Sequence, residues 1–279
     1  MPGHRGPLWE GPGDVVVTVW EMVAVALAGL AAGSINAVVG SGTLVTFPVL
    51  LAVGLPPVTA TVSNSLGLVP GNLTGAIGYR RELAGQRRLV LSLLPASVLG
   101  ALTGAFLLLH LPAAAFETVV PGLVALAVVL VATQPLLQRW LARRRERAGA
   151  VPLADVRVRG GRLAALFAGA YATGTYGGYF AASQGVLQIG VFGLLLPHSL
   201  QQLNAIKNVL TLGVNAVAAL TYVVVATDRI DWVAAGLVAG GSLVGGYLGS
   251  TFGRRLPAPV LRTAIVALVI TAIVVLVTR

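Results

Sequence analysis

The sequence contains no cysteine and little charge. Of its 279 residues, 10% are charged and 56% are hydrophobic, and its mean hydropathy is +0.88. The missing thiols exclude disulfides and thiolate metal sites, and such a composition lies outside the range of soluble domains. We therefore expect an all-α polytopic membrane protein, with the lipid bilayer as its surroundings.

Acidic residues are scarce where a membrane protein would use them for proton transfer. Nine Asp and Glu residues stand against 19 Lys and Arg, and none lies in the middle of an apolar stretch. The carboxylate relay of a proton-coupled cation pump is therefore missing. Because there is also no acid near a histidine within these stretches, we expect no catalytic residue, no metal site and no cofactor.

Apolar stretches long enough to cross a bilayer, about 20 residues each, follow one another along the chain. They lie at about 15–39, 59–79, 89–109, 113–133, 162–182, 203–226, 232–252 and 259–277. Two shorter apolar pieces, at about 43–54 and 186–196, fall below that length. Residues 1–14 are rich in Gly and Pro and lack the pattern of a signal peptide, so we expect a flexible N-terminal segment before a retained first span.

The second half of the chain repeats the first. A shift of 143 residues, and later of 145, superimposes the halves over most of their length; Gly42 then falls on Gly185, Asn64 on Lys207 and Asn72 on Asn215. We predict two homologous transmembrane repeats, at 15–133 and 162–279. A basic linker at 134–161 joins them.

The basic residues indicate how the repeats are oriented. Eighteen of the 19 are arginines, gathered in loops beside apolar stretches, which is a topology signal and predicts no nucleic-acid partner. The linker and the loop with Arg80, Arg81, Arg87 and Arg88 should be cytoplasmic. In the first repeat the basic loop precedes the stretch 89–109, whereas in the second repeat the basic pair, at 254–255, follows the equivalent stretch 232–252. This swap favours inverted repeats, while a parallel arrangement stays open.

Each repeat opens with an apolar stretch that glycine and polar residues interrupt, at 33–43 and at 174–185. Each glycine weakens a helix by roughly 1 kcal/mol, and unwound backbone inside a membrane must be buried or line a cavity. A half-helix that begins after such a break favours an anion at its N-terminus. Candidate binding residues here are Asn36, Ser41, Thr43, Tyr179, Ser183 and Gln184. The alternative is that these small residues only allow close helix packing.

Lys207 is the only lysine, and it lies a turn or two inside an apolar stretch that continues to Ala226. An ammonium at that depth costs several kcal/mol unless it is paired, so we predict a small anionic substrate as its partner. Asn208 beside it and Asn64 in the other repeat are candidate donors. Alternatively, the lysine reaches the membrane surface and the amides bind neighbouring helices.

Three motifs stand out along the chain: the glycine-rich run that ends at Pro48 (residues 40–48), the aromatic and glycine motif at 176–185, and the polar pair Lys207-Asn208. Together they resemble the TauE/SafE family of sulfite and organosulfonate exporters. The resemblance covers about 19–133 and 162–277. It implies a secondary transporter for a small sulfur-containing oxyanion in the cell (cytoplasmic) membrane, working by alternating access. A passive anion channel and an intramembrane enzyme are the alternatives, and the sequence leaves a homo-oligomer open.

Overall fold

The computed structural model describes residues 19–148 and 160–252, and every regular element in these two ranges is helical. This confirms the all-α prediction for the described part of the chain. The helices are α1 (Val19–Val38), α2 (Thr43–Ala52), α3 (Pro57–Gly78), α4 (Arg87–His110), α5 (Ala113–Ala148), α6 (Gly161–Tyr179), α7 (Gln184–Leu195), α8 (Leu200–Val225) and α9 (Trp232–Thr251). A single 3-10 turn, Thr227–Arg229, precedes α9.

Five of these helices are long and apolar enough to cross a membrane, namely α1, α4, α5, α8 and α9. Helices α3 and α6, of 22 and 19 residues, occupy two further predicted stretches. The two short apolar pieces form α2 and α7. The predicted N-terminal segment 1–14 and the predicted stretch 259–277 lie outside the described residues.

The segment after residue 133 continues the helix that precedes it. The predicted linker begins at 134, but α5 continues as one helix to Ala148. Residues 134–148 are rich in Leu, Ala, Arg, Gln and Glu, which have the highest helix propensities. Their polarity ends the apolar stretch without ending the helix.

Helices α1, α3 and α9 pack side by side and run in the same direction. Gly29 of α1 and Gly67 of α3 both face Val238, and one turn later Gly33 and Gly71 both face Ser242. Residue numbers therefore rise in the same direction along all three helices, which are parallel.

Helix α8 runs opposite to α3. Asn208, near the start of α8, lies 3.9 Å from where a Cβ at Gly75 would stand, near the end of α3. A surface groove brings residues 66–70 of α3 together with residues 216–219 of α8. Because the lower residue numbers of α3 lie beside the higher residue numbers of α8, the two helices are antiparallel.

Helices α4 and α6 run in the same direction as α8. Residues near the starts of all three helices share one hydrophobic cluster, which includes Val90, Leu166 and Leu203. The other cluster contains residues near the ends of these helices, such as Leu108 and Tyr222, together with residues near the starts of α1, α3 and α9. These six helices thus form two oppositely directed sets, α1, α3 and α9 against α4, α6 and α8.

Ridges of small residues on α4 and α9 are packing surfaces. A Cβ at Gly100 would clash with the backbone of Tyr171 and Thr175 on α6, and one at Gly241 with the backbone of Ala26 and Leu30 on α1. Such contacts require glycine because the backbones approach each other directly. The seams α4–α6 and α1–α9 each join one helix from either half of the chain.

Candidate functional site

Two short non-helical segments interrupt the helices where the sequence predicts it. The first break (residues 39–42) separates α1 from α2, and the second break (residues 180–183) separates α6 from α7. Both are shorter than the glycine-rich stretches. Gly33 and Gly174 remain helical and pack against Ser242 and Ser97, so for these two glycines the packing alternative describes the structure.

The first break touches the first turn of α7, directly after the second break, in the protein interior. The backbone N–H of Gly185 donates a hydrogen bond of 3.1 Å to the carbonyl of Gly40. A Cβ at Gly185 would lie 2.6 Å from the Gly40 Cα and 2.8 Å from the Cδ of Lys207, closer than atoms can pack. Gly40 also has a positive φ of 88°, which favours glycine. Helices α2 and α7 therefore begin close to one point.

Lys207 lies beside this point and is 1% exposed. Its ammonium donates to the carbonyls of Asn36 at 2.9 Å and Ala37 at 3.2 Å, in the last turn of α1. The neighbouring Asn208 Nδ2 donates to the Ala37 carbonyl at 3.1 Å. Helix α8 thus satisfies carbonyls that the end of α1 leaves unpaired. The ammonium lies between helices, buried in the protein interior.

The charge at this site is only partly balanced. The end of a helix carries about half a negative charge, whereas Lys207 is a full cation when protonated. Both acceptors of its ammonium among the described residues are uncharged carbonyls. In the part of the chain that the structure describes, there is no cluster of three His, Asp or Glu residues that could hold a metal.

Asn36 connects the first break to α3. Its Nδ2 donates to Asn72 Oδ1, and its Oδ1 accepts from the backbone N–H of Gly42 at 3.4 Å. Asn72 Nδ2 is buried and has no partner among the described residues. The predicted residues Asn36, Lys207 and Asn208 therefore meet at the end of α1, and Asn72 joins them.

Asn64 of α3 lies in a separate cluster, which it forms with two hydroxyl groups of α2. Its Nδ2 donates to Thr43 Oγ1 at 3.2 Å, and its Oδ1 accepts from the hydroxyl of Thr46. Asn64 is the repeat counterpart of Lys207, but these bonds hold it to the first turn of α2. Sequence reasoning missed Thr46; its spacing of three residues from Thr43 places both hydroxyls on one helix face, a signal that was available.

Several buried polar atoms near the breaks have no partner among the described residues. These are Ser41 Oγ, both amide atoms of Gln184, and Gln188 Nε2. Gln184 lies against Gly177 of α6, and Gln188 Oε1 accepts from Thr211 at 3.0 Å. An unsatisfied buried polar group costs about 1–3 kcal/mol, so such atoms indicate a place where water or a ligand binds.

Two predicted residues are directed elsewhere. Ser183 Oγ donates to the carbonyl of Ala127 on α5 at 3.2 Å, and the ring of Tyr179 packs edge-on against Phe116 of α5 at 5.5 Å. Both contacts join the second break to α5. Ser183 also has a left-handed backbone with φ of 63°, which is uncommon for a residue with a side chain.

Comparison with known proteins places this architecture in a family. The profile of the family described as "Sulfite exporter TauE/SafE" matches residues 25–276. A "Probable membrane transporter protein" of Haemophilus influenzae is 32% identical over 96 residues, 34% of this chain and 38% of that protein. "Probable membrane transporter protein YfcA" of Escherichia coli strain K12 is 27% identical over 226 residues, 81% of this chain and 76% of that protein. No solved structure matches this chain significantly.

Proposed function

This chain is a multi-pass membrane protein of the TauE/SafE family, and we propose that it is a secondary transporter of a small oxyanion, sulfite or an organosulfonate, in the cell membrane. The observation that carries the proposal is the buried ammonium of Lys207. It lies where the first break touches the first turn of α7, which follows the second break. Broken helices in matching positions are typical of transport sites near the middle of a membrane.

The uncompensated charge supports an anionic substrate. Roughly half of the positive charge on Lys207 is left after the dipole at the end of α1 is taken into account. A charge buried in a membrane is costly without a partner. An anion that binds at the third N–H of the ammonium would supply the missing negative charge.

The unpaired polar atoms support an oxyanion over a simple halide. Ser41 Oγ, Gln184 Nε2 and Asn72 Nδ2 are buried potential donors without acceptors among the described residues. A sulfite or sulfonate group carries three oxygens that accept hydrogen bonds. Such donors would replace the water that the anion loses on entering the protein.

Inverted repeats and alternating access are supported by the directions of the helices. Repeat counterparts α3 and α8 are antiparallel, and α1 and α4 run opposite to their counterparts α6 and α9. Because the seams α1–α9 and α4–α6 exchange helices between the halves, a rocking motion would move one exchanged pair against the other. The anion would then be exposed first on one side and then on the other.

The test is flux of sulfite or methanesulfonate in proteoliposomes. We expect saturable flux by the wild type and loss of at least tenfold in Lys207→Met, because the cation that pairs with the anion is removed. Arg88→Gln, which removes an exposed positive charge outside the site, is the matched control. Normal flux in Lys207→Met would refute the site. Counterflow exchange would support a carrier. Single-channel currents would instead indicate a channel, and a chemically altered product would indicate an enzyme.

A further inference from the structure

Asp231 is a buried carboxyl group that the proposed anion site does not use. It immediately precedes α9 and is 0% exposed. Its Oδ1 accepts from the backbone N–H of Ala234 at 2.8 Å, and its own N–H donates to Ser63 Oγ of α3 at 2.9 Å. Its Oδ2 is buried without any hydrogen-bond partner among the described residues. A carboxylate oxygen in that position is costly when ionised.

No described side chain near Asp231 neutralises this carboxyl. Helix α3 carries no ionisable residue, and α9 carries only Tyr247, far along the helix. In the 3-10 turn, Asp228 and Arg229 are exposed, and the guanidinium of Arg229 donates to the Leu109 carbonyl at 3.4 Å.

The neighbouring helices α1 and α8 do not neutralise it either. On α8, which packs on that turn, Tyr222 donates its hydroxyl to the Gly178 carbonyl at 2.5 Å. On α1, Glu21 is of the same sign as Asp231. A proton on Oδ2 is the simplest way to remove the buried charge.

The repeat supplies an internal comparison. Asp231 precedes α9 as Gln86 precedes α4, and the two are repeat counterparts at the offset of 145. Gln86 is also buried, and both atoms of its uncharged amide are unpaired. The fold therefore accepts a neutral polar group at this position. Of these two counterparts, only Asp231 has a side chain that can take up a proton.

We propose that Asp231 is a proton-binding site on the outer side of the protein that couples protons to the movement of α3. A proton from the outer aqueous phase binds Oδ2 while α3 and α9 are packed together, and it leaves when their separation hydrates the carboxyl. The assignment of sides rests on the proposed function and on the basic loop at 80–88 being cytoplasmic, since Asp231 lies at the other end of α3. Ser63 adjoins Asn64, so α3 connects this site with the cluster on α2.

The first test measures proton binding without transport. Burial raises the pKa of the Asp231 carboxyl, although the backbone N–H groups of Ala234 and Val233 act against this. A carboxyl whose pKa is raised by folding stabilises the protein in acid and loses that contribution as pH rises. Asp231→Asn keeps a good N-cap, so its Tm should match the wild type near about pH 4 and exceed it by several degrees near about pH 8. A pH-independent difference would overturn the proposal.

The second test measures coupling. In vesicles of uniform orientation, the initial rate of methanesulfonate flux is compared at acidic and neutral outer pH, with inner pH fixed. The ratio of the two rates should differ severalfold from one in the wild type and in Asp228→Asn, an exposed acid on the same loop. It should fall to one in Asp231→Asn and Asp231→Ser. A ratio unchanged from the wild type in both variants would overturn the coupling. Absence of any wild-type exchange at equal pH would instead refute the transport function, leaving proton binding to be judged by Tm.

Discussion

Replacing Gly185 with alanine tests whether the first break and the first turn of α7 must touch. The added Cβ would lie 2.6 Å from the Gly40 Cα and 2.8 Å from the Lys207 Cδ, whereas carbon atoms in contact are about 3.5–4.0 Å apart. The two backbones would therefore have to separate by about 1 Å, and the stem of Lys207 would have to move too. Overpacking of this kind costs about 1–3 kcal/mol.

The assay is thermal unfolding of the purified protein together with methanesulfonate flux. We expect Gly185→Ala to lower the Tm by a few degrees and to reduce flux strongly, because the displaced lysine stem carries the ammonium. Gly240→Ala is the matched control, because Gly240 lies inside α9 with open space around it. It should leave the Tm unchanged or raise it, because alanine stabilises a helix by roughly 1 kcal/mol relative to glycine. Equal Tm and equal flux in wild type and Gly185→Ala would refute the close approach of the first break to α7.

Two further predictions separate the clusters of the site. Asn208→Leu removes the hydrogen bond to the Ala37 carbonyl. It should lower the free energy of unfolding by about 1 kcal/mol and weaken anion binding relative to the wild type. An unchanged free energy of unfolding together with unchanged anion binding would contradict a role of Asn208 in holding the end of α1. Thr46→Val removes the hydroxyl bonded to Asn64 and should cost about 1 kcal/mol of stability while anion binding at Lys207 persists, as calorimetry would show; lost binding with unchanged stability would instead place Asn64 in the anion site.

The positions of the breaks could be predicted from the sequence because glycine density and duplication both mark them. Their short length could not, since Gly33 and Gly174 serve packing against another helix and glycine used for packing looks the same in sequence as glycine used for unwinding. Only the contacts with Ser242 and Ser97 separate the two uses.

The partner of Lys207 was beyond the sequence for a different reason. The two carbonyls that accept from it lie about 170 residues earlier in the chain, and backbone carbonyls leave no trace in side-chain patterns. Asp231 was missed because it lies at the edge of an apolar stretch, where an acid is usually solvated. Its burial arises only when the loop before α9 packs on Ser63.

Calorimetric titration of the purified protein with sulfite, comparing the wild type with Lys207→Met and Arg88→Gln, shows whether the buried ammonium binds the anion. We expect saturable binding by the wild type and Arg88→Gln, and at least tenfold weaker binding by Lys207→Met. Equal affinity in all three proteins would contradict an anion site at Lys207.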